Sequence, residues 1–369
     1  YKGVTYQLLS TDICANDDGG ATKRWADQHG YKLSQNNDDG EEWSGMRDLD
    51  HSSANVQTNV LAYLDFLLND LGYTGFRYDM TKGYAAKWTA LYNSTTKPEF
   101  SVGEYWDGNY NTLISWLNGT KSNGQIQSAV FDFATRYVAR DVFNYSSWSK
   151  IGNAGLAKQS GWGRYAVTFC ENHDTQYRSA TEQQDPIRAN IAAANAYILL
   201  INGTPCVFLK HWLDYKNEIK QLIYARHAAG ITNESSYSMI ASSGSYSAIQ
   251  TTQNANCDII TAFGVGYTAP AGYKQIITGS NYQVFLPESA ETPWISVPSC
   301  EIKTSISPVL TAVTSVPDAK LVYTLDGSDP TPSSKTVDSG SALTISEACV
   351  LKVGLLVGGV VKNIQTRHY

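Results

Sequence analysis

The chain has 369 residues, 42% of them hydrophobic, which is enough for one large core with one or two small satellites and excludes a disordered tail. Its 28 basic and 34 acidic residues give a net charge of −6 with no basic stripe, so nucleic acid is not an expected partner. No apolar run approaches the ~20 residues of a membrane-spanning helix. The opening Tyr1-Lys2-Gly3-Val4 has neither the basic nor the apolar part of a signal peptide, so any such peptide is expected to be gone already and the location to be secreted or extracytoplasmic.

Charged residues make up only 17% of the chain, whereas Tyr and Trp number 24 and 9. Aromatics with polar edges suit the flat apolar faces of sugar rings, although filling a core explains them equally well. The six cysteines show no metal-binding spacing. Cys170 and Cys206 lie in apolar runs that read as buried strands, and Cys300 and Cys349, flanking the C-terminal segment, are candidates for pairing.

Residues 1–50 are rich in Asp, Asn, Gly and Ser and read as irregular. A helix follows, with Val56, Val60, Leu64, Leu67, Leu68 and Leu71 on one face and Gly72 at its end. Gly75–Asp79 reads as a strand with Arg77 and Asp79 on one side and Phe76 and Tyr78 on the other. Further strands are expected at Phe100–Glu104, Ala129–Phe133, Tyr165–Cys170 and Pro205–Leu209. Between and after them fall a helix capped by Asp185, running through Pro186 to Gly203, and one carrying Ile219, Leu222 and Arg226 that stops at Gly230. Such alternation means a parallel sheet covered by helices.

Beyond Gly230, short alternating strands with Gly, Ser and Asn turns continue to about Pro287. Residues 289–298 look like a linker, and the remainder is all-β, with a hairpin turn at Gly358-Gly359. The organisation expected is an irregular segment (1–50), an α/β catalytic part (51–229), an antiparallel β domain (230–288), the linker (289–298) and a small β-sandwich (299–369).

Asp79, Glu104 and Asp174 stand at the C-terminal ends of three different predicted strands, the rim where parallel barrels build their active sites. Arg77 on the face of Asp79 opposes protonation of that carboxylate. Glu104 lies between Gly103 and Tyr105-Trp106, an apolar setting of the kind that raises a carboxyl pKa towards that of a general acid. Asp174 follows His173, a donor to sugar hydroxyls. One ionised and one protonated carboxyl are the inventory of glycoside cleavage.

Three stretches carrying these acids resemble signatures of the α-amylase family, family 13 of the glycoside hydrolases. Gly75-Phe-Arg-Tyr-Asp-Met-Thr-Lys-Gly-Tyr84 resembles the second signature, Ser101-Val-Gly-Glu-Tyr-Trp106 the third and Phe169-Cys-Glu-Asn-His-Asp174 the fourth. Lys-Gly-Tyr after the nucleophile position, Arg47-Asp-Leu-Asp-His51 and Gly203-Thr-Pro-Cys-Val-Phe208 are similar to the plant-type members, and the likeness covers roughly residues 1–285. The resemblance implies an α/β (β/α)8 TIM-barrel catalytic domain, here lacking its first strands, followed by an antiparallel β domain. It makes Asp79 the nucleophile, Glu104 the general acid/base and Asp174 the third, transition-state-stabilising acid. Arg77 and His173 would orient the nucleophile and bind the sugar, Lys82 would reach the leaving-group side, and Tyr105 and Trp106 would be stacking platforms. The implied reaction is endo-hydrolysis of the α-1,4 links of starch or a related α-glucan, with retention. Calcium is implied too, held by Asp48 and the carbonyls of Met46 and Gly83; Asp12, Asp17 and Asp18 are a second candidate set or simply solvated acids. The C-terminal module, with Tyr323-Thr-Leu-Asp-Gly-Ser-Asp-Pro330, resembles immunoglobulin-like domains appended to chitobiases, and Trp294 is either a glucan platform or a buried anchor.

The family's first signature, Asp-x-Val-x-Asn-His, does not occur in the chain. Five parallel strands cannot close a barrel, so the expectation is a fragment whose partner is an N-terminal segment of the same protein, roughly a hundred residues by the size of an eight-unit barrel. Leu209-Lys210-His211 departs from the aromatic and acid of plant-type members. Alternative readings are a related transglycosylase or maltogenic enzyme, a truncated glucan-binding protein without turnover, and, more distantly, a metal-dependent hydrolase using His51 and His173.

Overall fold

The structure is a computed structural model and describes residues 1–181, 185–255 and 257–369. The chain forms two compact units: Tyr1–Ala134 with Tyr165–Val167, and Thr135–Arg164 with Thr168–Tyr369.

The first unit opens irregularly, but not entirely so. Helix Ala21–His29 stands between Gly20 and Gly30, at φ 78° and 76°, values that cost glycine nothing. Helix Ala54–Asp65 begins where the Ser53 side chain accepts from the Asn55 and Val56 N–H groups. One wide turn, Phe66–Asp70, carries it to Gly72 at φ 73°. Leu64 packs with Phe76 and Tyr92 in a buried cluster, while Leu71 is exposed. Parallel strands Gly75–Tyr78 and Phe100–Gly103 pair with Arg77 opposite Val102 and Tyr78 opposite Gly103. Ala129–Phe131 follows, with Val102 opposite Ala129, and then Val130 and Phe131 pair with Ala166 and Val167. The strand expected to reach Phe133 stops at Phe131, because Phe133 already opens helix Phe133–Tyr145.

The second unit corrects several expectations. The helix expected from Asp185 is Ile191–Leu200, preceded by Asn190 at φ 54°; Asp185 does not cap it, because its carboxylate is held by Arg136 and Arg140, both at 2.6 Å. The strand expected at Pro205–Leu209 is only Thr204–Pro205, and Leu209 starts helix Leu209–Asp214. A Lys210–Asp214 pair at 2.7 Å braces that helix, and Cys206 is exposed while Cys170 is buried. Helix Lys216–Ala228 ends near Gly230 at φ 64°.

A five-stranded antiparallel sheet follows, in the order Tyr273–Gly279, Tyr282–Pro287, Cys257–Gly264, Tyr246–Asn254, Ser236–Ser242. Part of the expected linker is itself a strand: Thr292–Ile295 pairs with Val309–Val313, and Trp294 is buried. It faces a four-stranded sheet ordered Lys335–Val337, Lys320–Thr324, Val350–Val357, Val360–His368. Ile295, Leu310, Leu321, Leu351, Val353 and Leu355 form the core of this sandwich. Cys300 and Cys349 are free thiols. The C-terminal residues separate them: the Cys300 N–H donates to the His368 carbonyl, and Cys349 exchanges two backbone bonds with Tyr369.

Candidate active site

Two strand ends bring the first acids together. Gly103 ends its strand against the Trp116 indole so closely that a Cβ there would meet Trp116 Cη2 at 2.3 Å. Backbone bonds from Glu104 N to Tyr78 O (2.8 Å) and from Thr81 N to Glu104 O (3.1 Å) then tie the two strand ends. Between them Met80 takes a left-handed φ of 43°, unusual for a side chain of its size. Its N–H points to Glu104 Oε2 at 3.2 Å.

Arg77 bridges the pair, with Nη1 2.7 Å from Asp79 Oδ1 and Nη2 2.9 Å from Glu104 Oε1. The Asp79 side chain is 61% exposed and that of Glu104 only 5%. Burial, and then the hydrogen bond that its protonated form donates to the neighbouring Asp79 carboxylate, push the Glu104 pKa up to about 7, against the opposing pull of Arg77 and the Met80 N–H. Below about pH 7 the site therefore holds a sheltered, protonated Glu104 carboxyl beside the open Asp79 side chain.

Lys82 Nζ lies 3.3 Å from Glu41 Oε2 and 3.4 Å from Asp107 Oδ2, and 5.3 Å from the centre of the Tyr105 ring. Trp106 stacks on Phe133, with ring centres 4.7 Å apart, and is 37% exposed. Glu41 and Asp107 were not singled out in the sequence. Glu41 lies in the irregular segment, and only its spacing from the Lys82 loop in space, through Glu41 N to Lys82 O at 2.7 Å, reveals the contact.

In the second unit, Asp174 accepts from Arg178 Nη2 at 3.0 Å, and His173 Nε2 lies 3.1 Å from its other oxygen. The turn is built on Asn172, whose Oδ1 accepts from the Asp174 and Thr175 N–H groups at 2.9 and 2.8 Å. Behind it, buried Glu171 takes the Thr175 hydroxyl and the Ile187 N–H and faces the fully buried Arg136.

The implied calcium ligands gather unevenly. Asp48 has its pKa raised to about 6 by burial and by the charges of Asp38, Asp17, Glu42 and Asp18. Gly40 abuts Gly83 so tightly that a Cβ would meet the Gly83 carbonyl carbon at 2.3 Å, which brings this acidic loop to the Gly83 turn. Asp38 Oδ2 is buried with no partner. Mutually repelling carboxylates with an orphaned oxygen fit a hard dication. Among the described residues no three His, Cys, Asp or Glu side chains form a metal-holding group, so backbone carbonyls such as Met46 and Gly83 would have to complete the shell. Asp12 and Asp17 are buried rather than solvated. Asp12 accepts from Leu9 N, Ser53 and Asn55, whereas Asp17 and Asp18 share Arg47. His51, the other histidine considered above, has its Nδ1 2.7 Å from Tyr92 OH.

A parallel α/β unit with a guanidinium-bridged acid pair at its strand ends defines the class of protein. No family model matches the chain. It is 33% identical over 236 residues to a probable α-amylase 2 of Arabidopsis thaliana, covering 58% of this chain and 55% of that protein. It is 30% identical over 143 residues to the α-amylase type B isozyme of Hordeum vulgare, covering 37% of this chain and 92% of that sequence. A crystal structure of an Anoxybacillus α-amylase superposes with a TM-score of 0.48 at 13% identity, over 72% of this chain and 76% of the other. The chain belongs to the α-amylase family. Its parallel strand–helix units are those of the family's TIM-barrel domain, followed by the antiparallel β domain. It spans about half the length of the Arabidopsis relative it matches.

Proposed function

We propose that this chain carries the catalytic acids of a retaining, endo-acting α-1,4-glucan hydrolase acting on starch-type polysaccharides outside the cytoplasm. The observation that carries this reading is the Arg77-bridged pair, with Asp79 open and Glu104 sheltered and held protonated to about pH 7. Asp79 attacks the anomeric carbon while the Glu104 proton passes to the departing glycosidic oxygen, leaving a glycosyl ester on Asp79. Glu104, now a carboxylate, takes a proton from water, whose oxygen displaces Asp79 and restores both groups. Arg77, 2.7 Å from Asp79, favours its carboxylate form before attack and again on release. Lys82 and Tyr105 bind the leaving-group sugar, with Trp106 beside them, and Asp174 and His173 take the roles of third acid and sugar contact that the family motif assigns.

The oxygens of Asp48 and Asp38, with the Met46 and Gly83 carbonyls, would hold calcium. When bound, that ion neutralises the acids of the irregular segment and cross-links it to the Gly83 turn. The test is proton NMR of maltoheptaose hydrolysis. Newly formed ends appear first as the α-anomer, and Glu104→Gln slows their formation ~10²–10⁴-fold. First-formed β-anomer, or unchanged turnover in that variant, overturns the assignment.

A further inference from the structure

Helix Lys216–Ala228 and the last strand, Val360–His368, border a cavity of about 390 Å³. Its polar wall comprises His227, Thr292, Asn363, Gln365 and Arg367, beside the Tyr224 ring; among the described residues no carboxylate lines it. Arg367 is only 2% exposed. Its guanidinium lies 3.6 Å from the Tyr224 ring centre and 5.9 Å from that of Trp294. Nη1 donates to the Thr366 carbonyl at 2.9 Å and Nη2 to Gln365 Oε1 at 3.1 Å.

Those two bonds leave three of the five N–H donors of a guanidinium unspent. Nε is buried without an acceptor, and so is the indole Nε1 of Trp294. A buried cation normally has a carboxylate beside it, because desolvation is costly and ring faces return only part of it. Here burial draws the Arg367 pKa down to about 10, against the smaller opposing effects of Tyr224 and Tyr369. Glu291, adjacent in sequence to the cavity wall, is committed to Lys362.

We propose that this cavity binds a small oxyanion, phosphate or a carboxylate, through the Arg367 guanidinium and the His227 ring. An oxyanion brings the negative charge and the acceptor oxygens that the protein does not supply, and the planar fork of arginine matches two of those oxygens. The Gln365 amide keeps one N–H for a third, whereas Asn363 donates to the Ala290 and Glu291 carbonyls and Thr292 to that of Pro293. This site is independent of the carboxylate pair at the strand ends, so its failure leaves the glycosidase reading intact.

The whole chain is titrated with sodium phosphate and, separately, sodium acetate, against sodium chloride at equal ionic strength, by calorimetry and thermal melting. Saturable heat and a raised melting temperature with phosphate are expected. A response to phosphate alone identifies a tetrahedral ligand, and a response to both identifies any oxyanion. Arg367→Lys keeps the charge but not the fork and should weaken binding. Because Arg367 is buried, exposed His227→Ala provides a second variant expected to fold normally; losing one charge-assisted bond should weaken phosphate about tenfold. No response beyond chloride, or equal phosphate binding by wild type and His227→Ala, overturns the proposal and leaves Arg367 as a stacking joint.

Discussion

Replacing Glu104 by Gln separates stability from turnover. Folding raises the Glu104 pKa from 4.5 to about 7, with burial the main cause. Between those values the native state keeps a proton that the unfolded chain has released, so stability falls as pH rises through this window. At ~1.36 kcal/mol per pKa unit, the folded state of the wild type is about 3 kcal/mol less favoured at pH 8 than at pH 4.5 on account of this one carboxyl. Gln has the shape of the protonated acid and never ionises. Relative to wild type, the variant should therefore gain about 3 kcal/mol between pH 4.5 and pH 8, while turnover drops ~10²–10⁴-fold through loss of the proton donor. Denaturant unfolding of both proteins at each pH, followed by Trp fluorescence, measures the difference. A gap between the two that does not change with pH would refute the reasoning, because Glu104 would then titrate normally in the fold.

The other predictions test the neighbours of that carboxyl and the acidic loop. Arg77→Met removes a cation that pulls the Glu104 pKa down, so the alkaline limb of the pH–rate profile should move to higher pH as kcat falls; a limb that stays in place contradicts the bridging role. Gly103→Ala drives a methyl into Trp116 Cη2 at 2.3 Å and should cost about 1–3 kcal/mol by overpacking, read as a lowered melting temperature that Trp116→Phe partly restores. Asp48 carries a pKa raised to about 6 by burial and four neighbouring acids, so without cation its ionised form strains the fold above that pH. In chelator at pH 7.5, Asp48→Asn should melt higher than wild type, and added calcium should raise the wild-type midpoint while leaving the variant nearly unmoved.

Much of the fold was legible because two periodicities dominate it. The 3.6-residue stripe from Val56 to Leu68 and the alternation at Phe76 and Tyr78 each place apolar groups on one side, and burial enforces that side whatever else is present. The elements misread were decided by partners distant in sequence. Asp185 and Pro186 look like a helix start, yet Asp185 serves two arginines on helix Phe133–Tyr145, which leaves Asn190 to begin the turn. Trp294-Ile295 sits in a Pro- and Ser-rich stretch and reads as linker, but strand Val309–Val313 pairs with it, and no local signal announces a partner fifteen residues on.

The acid pair shows the same division at atomic scale. That Asp79 and Glu104 belong to strand ends follows from the order of elements, and that Arg77 shares a face with Asp79 follows from the two-residue period of a strand. What sequence could not give is why their charges differ. Aromatic neighbours suggested a raised pKa for Glu104, yet Trp106 lies against Phe133 and Tyr105 against Lys82; the causes are enclosure and the second carboxyl. Arg77 reaches both acids at nearly equal distance, so it cannot by itself decide which one holds the proton. Exposure separates them: Asp79 stands open to water, and sheltered Glu104, denied water, keeps its proton to about pH 7.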